Sequence, residues 1–232
     1  MRPIILIGAN FLRTQRVVVL VIAVYLAGIA GVFALHQQSQ EVLFFFQMHS
    51  FYVLFFGMMV AVPALQTERK SRRILAVLSK GIHRWQYMAG LLFGCGLITT
   101  IFSVLVGGIT FVLSRRGHYP TEGLVSLTFV LFACSLMTAS ISLFYSAFLH
   151  PLLATGATTL TLTFALITES RGLHLPRLLF PVSWAAEAIR QYQFTPVKQA
   201  ETIAMSALVF ALVFLAAAAA IFSRRDVTIS PE

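Results

Sequence analysis

Long apolar stretches separated by short polar ones set the pattern of this chain. A helix of about 20 residues rises about 30 Å, the thickness of the hydrocarbon core of a bilayer. None of the stretches shows the period-2 alternation of a membrane-spanning strand. The pattern therefore predicts an all-α polytopic membrane protein, a single transmembrane domain over 1–232 with six transmembrane helices. These are expected at about 17–35, 42–65, 88–113, 124–149, 151–168 and 203–222.

The distribution of basic residues predicts the orientation. With six crossings, both termini, residues 66–87 and the turn at His150 share one side, and that side carries 11 of the 17 Lys and Arg. The positive-inside rule makes this side cytoplasmic, so both termini are expected inside. The expected location is the cell inner (plasma) membrane. Pro151 breaks a helix interior and therefore separates the fourth span from the fifth.

Three further patterns concern local structure. Residues 3–12 are amphipathic and are followed by Arg13 and Arg16, which predicts an N-terminal helix in the cytoplasmic interface, or alternatively a ragged start of the first span. Small residues in the third span predict a close approach of another helix; they are Gly90, Gly94 and Gly96. The fifth span is rich in threonine, which favours hydroxyl bonds in helix packing over a polar substrate path.

Composition excludes several classes of function. The chain is 58% hydrophobic and 11% charged, and no span centre carries Asp, Glu, Lys or Arg, as ion-coupled transporters require. Cys95 and Cys134 lie within spans without ligand-type spacing, so they predict packing rather than a metal site. No catalytic constellation is identifiable, and there is no GxxxxGK[ST] phosphate-binding loop. The net charge of +9 is mostly juxtamembrane, which favours membrane lipids over nucleic acid as partner.

The segment 66–87, here called the coupling segment, is the first candidate site. It is basic, with Glu68 as its one acid, and its apolar residues recur at helical spacing. A short amphipathic helix is expected at 71–79, with Gly81 in the left-handed position after its end. From the residues alone, a surface for another subunit and a basic hairpin on lipid headgroups are equally favoured.

The loop 169–201 is the second candidate. A helix is expected to start at Pro181 or Ser183, with an apolar face and a polar pair formed by Glu187 and Arg190. Trp184 is suited to the headgroup level, so this outer segment should dip into or lie on the outer interface. The alternative is an amphipathic surface loop without moving parts, and the residues alone favour that alternative.

Three pieces of the chain together resemble the ATP-binding cassette (ABC) type 2 exporter permeases, over essentially the whole length. The first is the coupling segment, which is similar to the family pattern of an acid, Gly-Thr-Leu and a Pro-containing turn. The acid, two apolar positions and the basic position after the turn match at Glu68, Ile74, Leu78 and Arg84. The sequence departs from the pattern where Arg72 and Arg73 replace Gly-Thr and Gly81 replaces the proline.

The other two pieces flank the last span. PVSWAAEAIR is similar to the family pattern Pro-x-x-Tyr-x-x-x-Ala-hydrophobic-Arg, with matches at Pro181, Ala188, Ile189 and Arg190 and an aromatic at Trp184. The run 222–226, FSRRD, is similar to the family's closing Phe-x-Arg-Arg-Asp.

The resemblance implies a permease that dimerises and works with a separate ATP-hydrolysing subunit, which would hold ATP and Mg; this chain itself is expected to carry no cofactor and to be no enzyme. The implied ATPase-coupling residues are Glu68, Arg72, Arg73, Ile74, Leu78, Lys80, Gly81 and Arg84, and the implied outer gate comprises Pro181, Trp184, Glu187 and Arg190. An amphipathic, lipid-like, drug-like or glycan cargo is expected. Two alternatives stay open: a haem-exporter-type permease of cytochrome c maturation, and a membrane scaffold without transport of its own.

Overall fold

The computed structural model describes residues 2–35, 39–70, 74, 81–170, 181–193 and 199–224. Within these ranges the chain is helical throughout its regular structure and forms no strand. The helices are α1 (Arg2–Thr14), α2 (Arg16–Leu35), α3 (Ser39–Lys70), α4 (Arg84–Arg116), α5 (Leu124–Ser146), α6 (Pro151–Ser170), α7 (Pro181–Arg190) and α8 (Ala200–Arg224).

Five of these helices are long and apolar enough to cross a membrane: α2, α3, α4, α5 and α8. This confirms the all-α class within the described residues, and the length and apolarity of the five helices are consistent with a polytopic membrane protein. The apolar stretch Pro151–Ile167 of α6 is shorter than the other five. The sixth span and the orientation therefore stay predictions.

Most helices extend beyond the apolar runs that predicted them. α3 continues from 65 to Lys70, and α4 begins at Arg84 and ends at Arg116. An apolar run marks only the part of a helix that crosses hydrocarbon, so the helix can continue at either end into polar sequence. α5 is the exception: it ends at Ser146, before 149, because Ala147–His150 form the turn that precedes Pro151. The predicted break at Pro151 is confirmed.

α5 is the central helix of the bundle and packs against α3, α4 and α8. In its most apolar 18-residue stretch, 67% of the residues are buried, compared with 6% in α2. α2 therefore lies at the periphery, with most of its apolar surface turned outward. The main core consists mostly of residues from α3, α4, α5 and α8, together with α7.

The bundle has two ends, the basic end and the loop end. The basic end is formed by the C-terminal turns of α3 and α8 and the first turn of α4. The loop end is formed by the last turn of α4 and the first turn of α5.

α1 is a helix of its own, separated from α2 by a turn at Gln15, and it packs along α4. A Cβ placed on Gly90 would lie 2.7 Å from Cβ of Ile7, and one on Gly94 would lie 2.8 Å from Cδ1 of Phe11. The two helices run in the same direction, since the later residue of α1 meets the later glycine. The predicted close approach is confirmed at Gly90 and Gly94, which face α1. Gly96 does not share this face, because a Cβ placed on it would lie 3.2 Å from Cδ1 of Leu136 on α5.

The threonines of α6 bond mainly within their own helix. The hydroxyls of Thr155, Thr158 and Thr161 donate to carbonyls four residues earlier at 2.8–2.9 Å. Thr161 Oγ1 also lies 3.0 Å from the hydroxyl of Tyr145 on α5. These bonds confirm the packing role that was predicted for hydroxyls in this helix.

Candidate functional site

The coupling segment is held at its first end by a buried polar contact. Glu68 lies in the last turn of α3 and is only 7% exposed. The hydroxyl of Tyr87, in α4, donates to Glu68 Oε2 at 3.1 Å. A buried carboxylate requires hydrogen-bond donors because its charge is otherwise unsolvated. The contact therefore fixes the end of α3 to the start of α4.

The second end of the segment is tied to the last helix. Arg84 Nη1 donates to the carbonyl oxygens of Phe222 at 3.2 Å and Ser223 at 2.9 Å. The last carbonyls of a helix lack intrahelical donors and carry a partial negative charge, so a guanidinium is well suited to this place. The start of α4 is thereby joined to the end of α8.

An apolar cluster fills the space beneath these two contacts. The rings of Tyr87 and Phe222 are stacked, with centroids 6.2 Å apart and planes at 21°. Ile74, which is helical, is 1% exposed and packs in the same cluster, together with Phe11 of α1. This arrangement, the basic-end joint, consists of Glu68, Ile74, Arg84, Tyr87 and Phe222.

The joint brings together several residues that the sequence singled out. Gly81 has φ of 75°, which confirms the predicted left-handed position. After it, the backbone N–H of His83 donates to Gln86 Oε1 at 3.3 Å, which helps to start α4. The predicted sites Arg72, Arg73, Leu78 and Lys80 lie outside the described residues, as does most of the helix expected at 71–79.

The helix α7 begins at Pro181, which confirms the predicted start. It is not the surface loop that the residues alone favoured. Six of its ten residues are buried, because it packs against α5, α6, α8 and α3 instead of lying on the bundle. The carbonyl oxygen of Pro181 lies 3.8 Å from Sγ of Cys134, near the middle of α5. The N-terminus of α7 therefore reaches deep into the bundle, and Trp184 is half-buried against the main core.

The polar face of α7 carries the predicted ion pair. Arg190 Nη2 lies 2.9 Å from Glu187 Oε2, and Gln191 donates to the same carboxylate. The amide of Gln47 on α3 donates to the carbonyl oxygen of Arg190 at 3.2 Å. Just beyond, the buried ring of Tyr192 packs on Phe46 with centroids 5.3 Å apart. These contacts fix the C-terminal end of α7 to α3.

Two contributors to these sites carry no signal in the sequence. Tyr87 is one aromatic residue among many, so its bond to Glu68 was not predicted, and Tyr192 follows α7 in a segment without a recognisable pattern. Within the described ranges, no group of three or more His, Cys, Asp or Glu lies together as a metal site.

No family model matches the chain, and no curated protein matches it.

Proposed function

We propose that the chain is the membrane-spanning permease subunit of an ABC type 2 exporter, with six spans and both termini in the cytoplasm. Two copies would pair in the inner membrane, each above a separate ATPase subunit that binds ATP and Mg. An amphipathic cargo such as a lipid, a drug-like molecule or a lipid-linked glycan would be moved outward.

The basic-end joint is the observation that carries this proposal. An ATPase that pushes on a permease requires a segment whose displacement moves the spans rather than bending a loop. The coupling segment meets that requirement at both ends, because Glu68 is bonded to α4 and Arg84 to α8. A surface held only on lipid headgroups needs neither contact.

The packing of α7 supports the second half of the mechanism. α8 contacts both α4 and α7, so a shift of its C-terminal turn at the joint is transmitted along one helix to α7. Helices move as rigid bodies in such transitions. In the proposal, α7 is the outer gate, and the bond of Gln47 to the carbonyl oxygen of Arg190 and the packing of Tyr192 on Phe46 hold it closed against α3.

The coupling role is tested with the complex of permease and ATPase reconstituted into vesicles. Glu68→Ala and Arg73→Glu should abolish ATP-dependent transfer of a fluorescent phospholipid analogue while the ATPase subunit still hydrolyses ATP. Glu122→Ala, an exposed acid at the loop end, is the matched control and should transport as the unaltered chain does. Transport by the Glu68 and Arg73 variants at the control rate would contradict the assignment.

A further inference from the structure

A crevice of about 530 Å³ opens between α2 and α4 toward the loop end. Its volume lies within the range of about 300–1,000 Å³ that is typical of small-molecule sites. Its lining is apolar except for one cation; the lining residues are Ala30, Gly31, Ala34, Val104, Leu105, Gly108, Ile109, Val112, Leu113 and Arg116.

The crevice is open because α2 lines it only with alanine and glycine and α4 adds a glycine at Gly108. A Cβ placed on Gly31 of α2 or on Gly108 of α4 would meet no atom within 4 Å. This differs from the contact of α1 with α4, where glycine permits direct helix packing. Here the space beside the glycines is not filled by the protein.

The depth of the crevice corresponds to one leaflet of a bilayer. From Val104 to Arg116 the axis of α4 rises about 18 Å at 1.5 Å per residue. Half of a hydrocarbon core is about 15 Å. Arg116 lies in the last turn of α4 with its side chain exposed, so its charge is at headgroup level above an apolar slot.

We propose that the α2–α4 crevice binds an anionic phospholipid, with one acyl chain between the helices and the phosphate paired with Arg116. A guanidinium donates two parallel hydrogen bonds to phosphate oxygens, and its attraction for anionic headgroups is strong near the membrane surface. A second copy of the chain is a poorer occupant, because none of the lining residues is acidic and Arg116 would be buried without a counter-charge from this surface. The site does not depend on the proposed transport function.

The test measures lipid binding to the purified, delipidated chain by native mass spectrometry. Phosphatidylglycerol and phosphatidylcholine with identical acyl chains are the two probes. The unaltered chain should bind phosphatidylglycerol roughly fivefold more tightly, which is the effect expected of one interfacial cation. Arg116→Ala should remove this preference, whereas Arg115→Ala should keep it, because Arg115 lies over the ring of Phe111 and does not line the crevice.

Filling the crevice separates the acyl-chain contact from the headgroup contact. The double variant Gly31→Leu with Gly108→Leu should weaken binding of both lipids, with Gly28→Leu as control because Gly28 is equally open but outside the crevice. If Arg115→Ala and Gly28→Leu reduced lipid binding as much as the crevice variants do, the proposal would be overturned in favour of unspecific lipid contact. Unchanged lipid binding together with loss of a dimer in the filled variant would overturn it in favour of an interface between copies.

Discussion

At the residue scale, Glu68 and Arg84 give the coupling segment its mechanical connection. Glu68 is buried and accepts a bond from Tyr87, and Arg84 donates to the last carbonyls of α8. Both contacts involve a charged group, for which a hydrogen bond contributes about 1.5–3 kcal/mol. These two contacts join α3, α4 and α8 through very few side chains. Single substitutions are therefore informative here.

Tyr87→Phe removes the hydroxyl that donates to Glu68 and keeps the ring that stacks on Phe222, so the effect reports what the hydroxyl contributes. The free energy of unfolding in detergent should fall by about 1.5–3 kcal/mol, the contribution of a bond to a charged acceptor. Tyr52→Phe is the control, since Tyr52 also lies in the helical bundle but is 50% exposed. Equal melting temperatures of the two variants would mean that the bond contributes nothing.

Residue-scale prediction from the sequence was successful only where a residue stands out from its neighbours. Glu68 is the one acid in a basic segment and Gly81 interrupts a helical pattern, so both were identifiable. Tyr87 and Phe222 are aromatic residues in a chain with 21 phenylalanines, and no spacing rule distinguishes them. Their stacking depends on how α8 packs against α4, which local patterns do not specify.

At the element scale, the contact of α1 with α4 shows what glycine spacing contributes. Gly90 and Gly94 are four residues apart and therefore lie on one face of α4, which lets the α1 backbone approach closely. The sequence predicted the close approach but not its partner. The same holds for α7. Its ten residues have an apolar face, which indicates that this face is buried but not which helices cover it.

Paired alanine substitutions test the α1 contact with opposite signs. Gly90→Ala places a Cβ 2.7 Å from Ile7 and should lower the free energy of unfolding by about 1–3 kcal/mol through overpacking. Gly28→Ala meets no atom within 4 Å and should raise it by about 0.4–1 kcal/mol, because alanine restricts the unfolded chain. Thermal unfolding of both variants in one detergent provides the comparison. Stabilisation by Gly90→Ala would show that α1 does not lie on this face.

At the scale of the whole molecule, the number of crossings decides the orientation of every loop. The five long apolar helices are shown by the structure, and α6 decides whether the total is five or six. In the six-span arrangement, three crossings separate Glu122 from Ser223; in a five-span arrangement without α6, only two do. Glu122 and Ser223 therefore lie on opposite sides of the membrane in the six-span arrangement and on the same side in the five-span arrangement.

Thiol labelling distinguishes these arrangements directly. Both native cysteines are buried, so a membrane-impermeant maleimide should label only an introduced thiol. Applied to intact cells, it should label Glu122→Cys and leave Ser223→Cys unlabelled until the membrane is permeabilised, since both positions are exposed in the bundle. Labelling of both variants in intact cells, or of neither, would exclude the sixth crossing.

The exporter proposal requires a second subunit, because this chain has no phosphate-binding loop. The most direct measurement is to tag the C-terminus, extract the complex from its native host in mild detergent, and identify the co-purified proteins by mass spectrometry. The account predicts a stoichiometric partner that carries a GxxxxGK[ST] loop and is lost when Glu68 is replaced together with Arg84. Recovery of the chain without any such partner, in several detergents, would contradict the account and favour a scaffold.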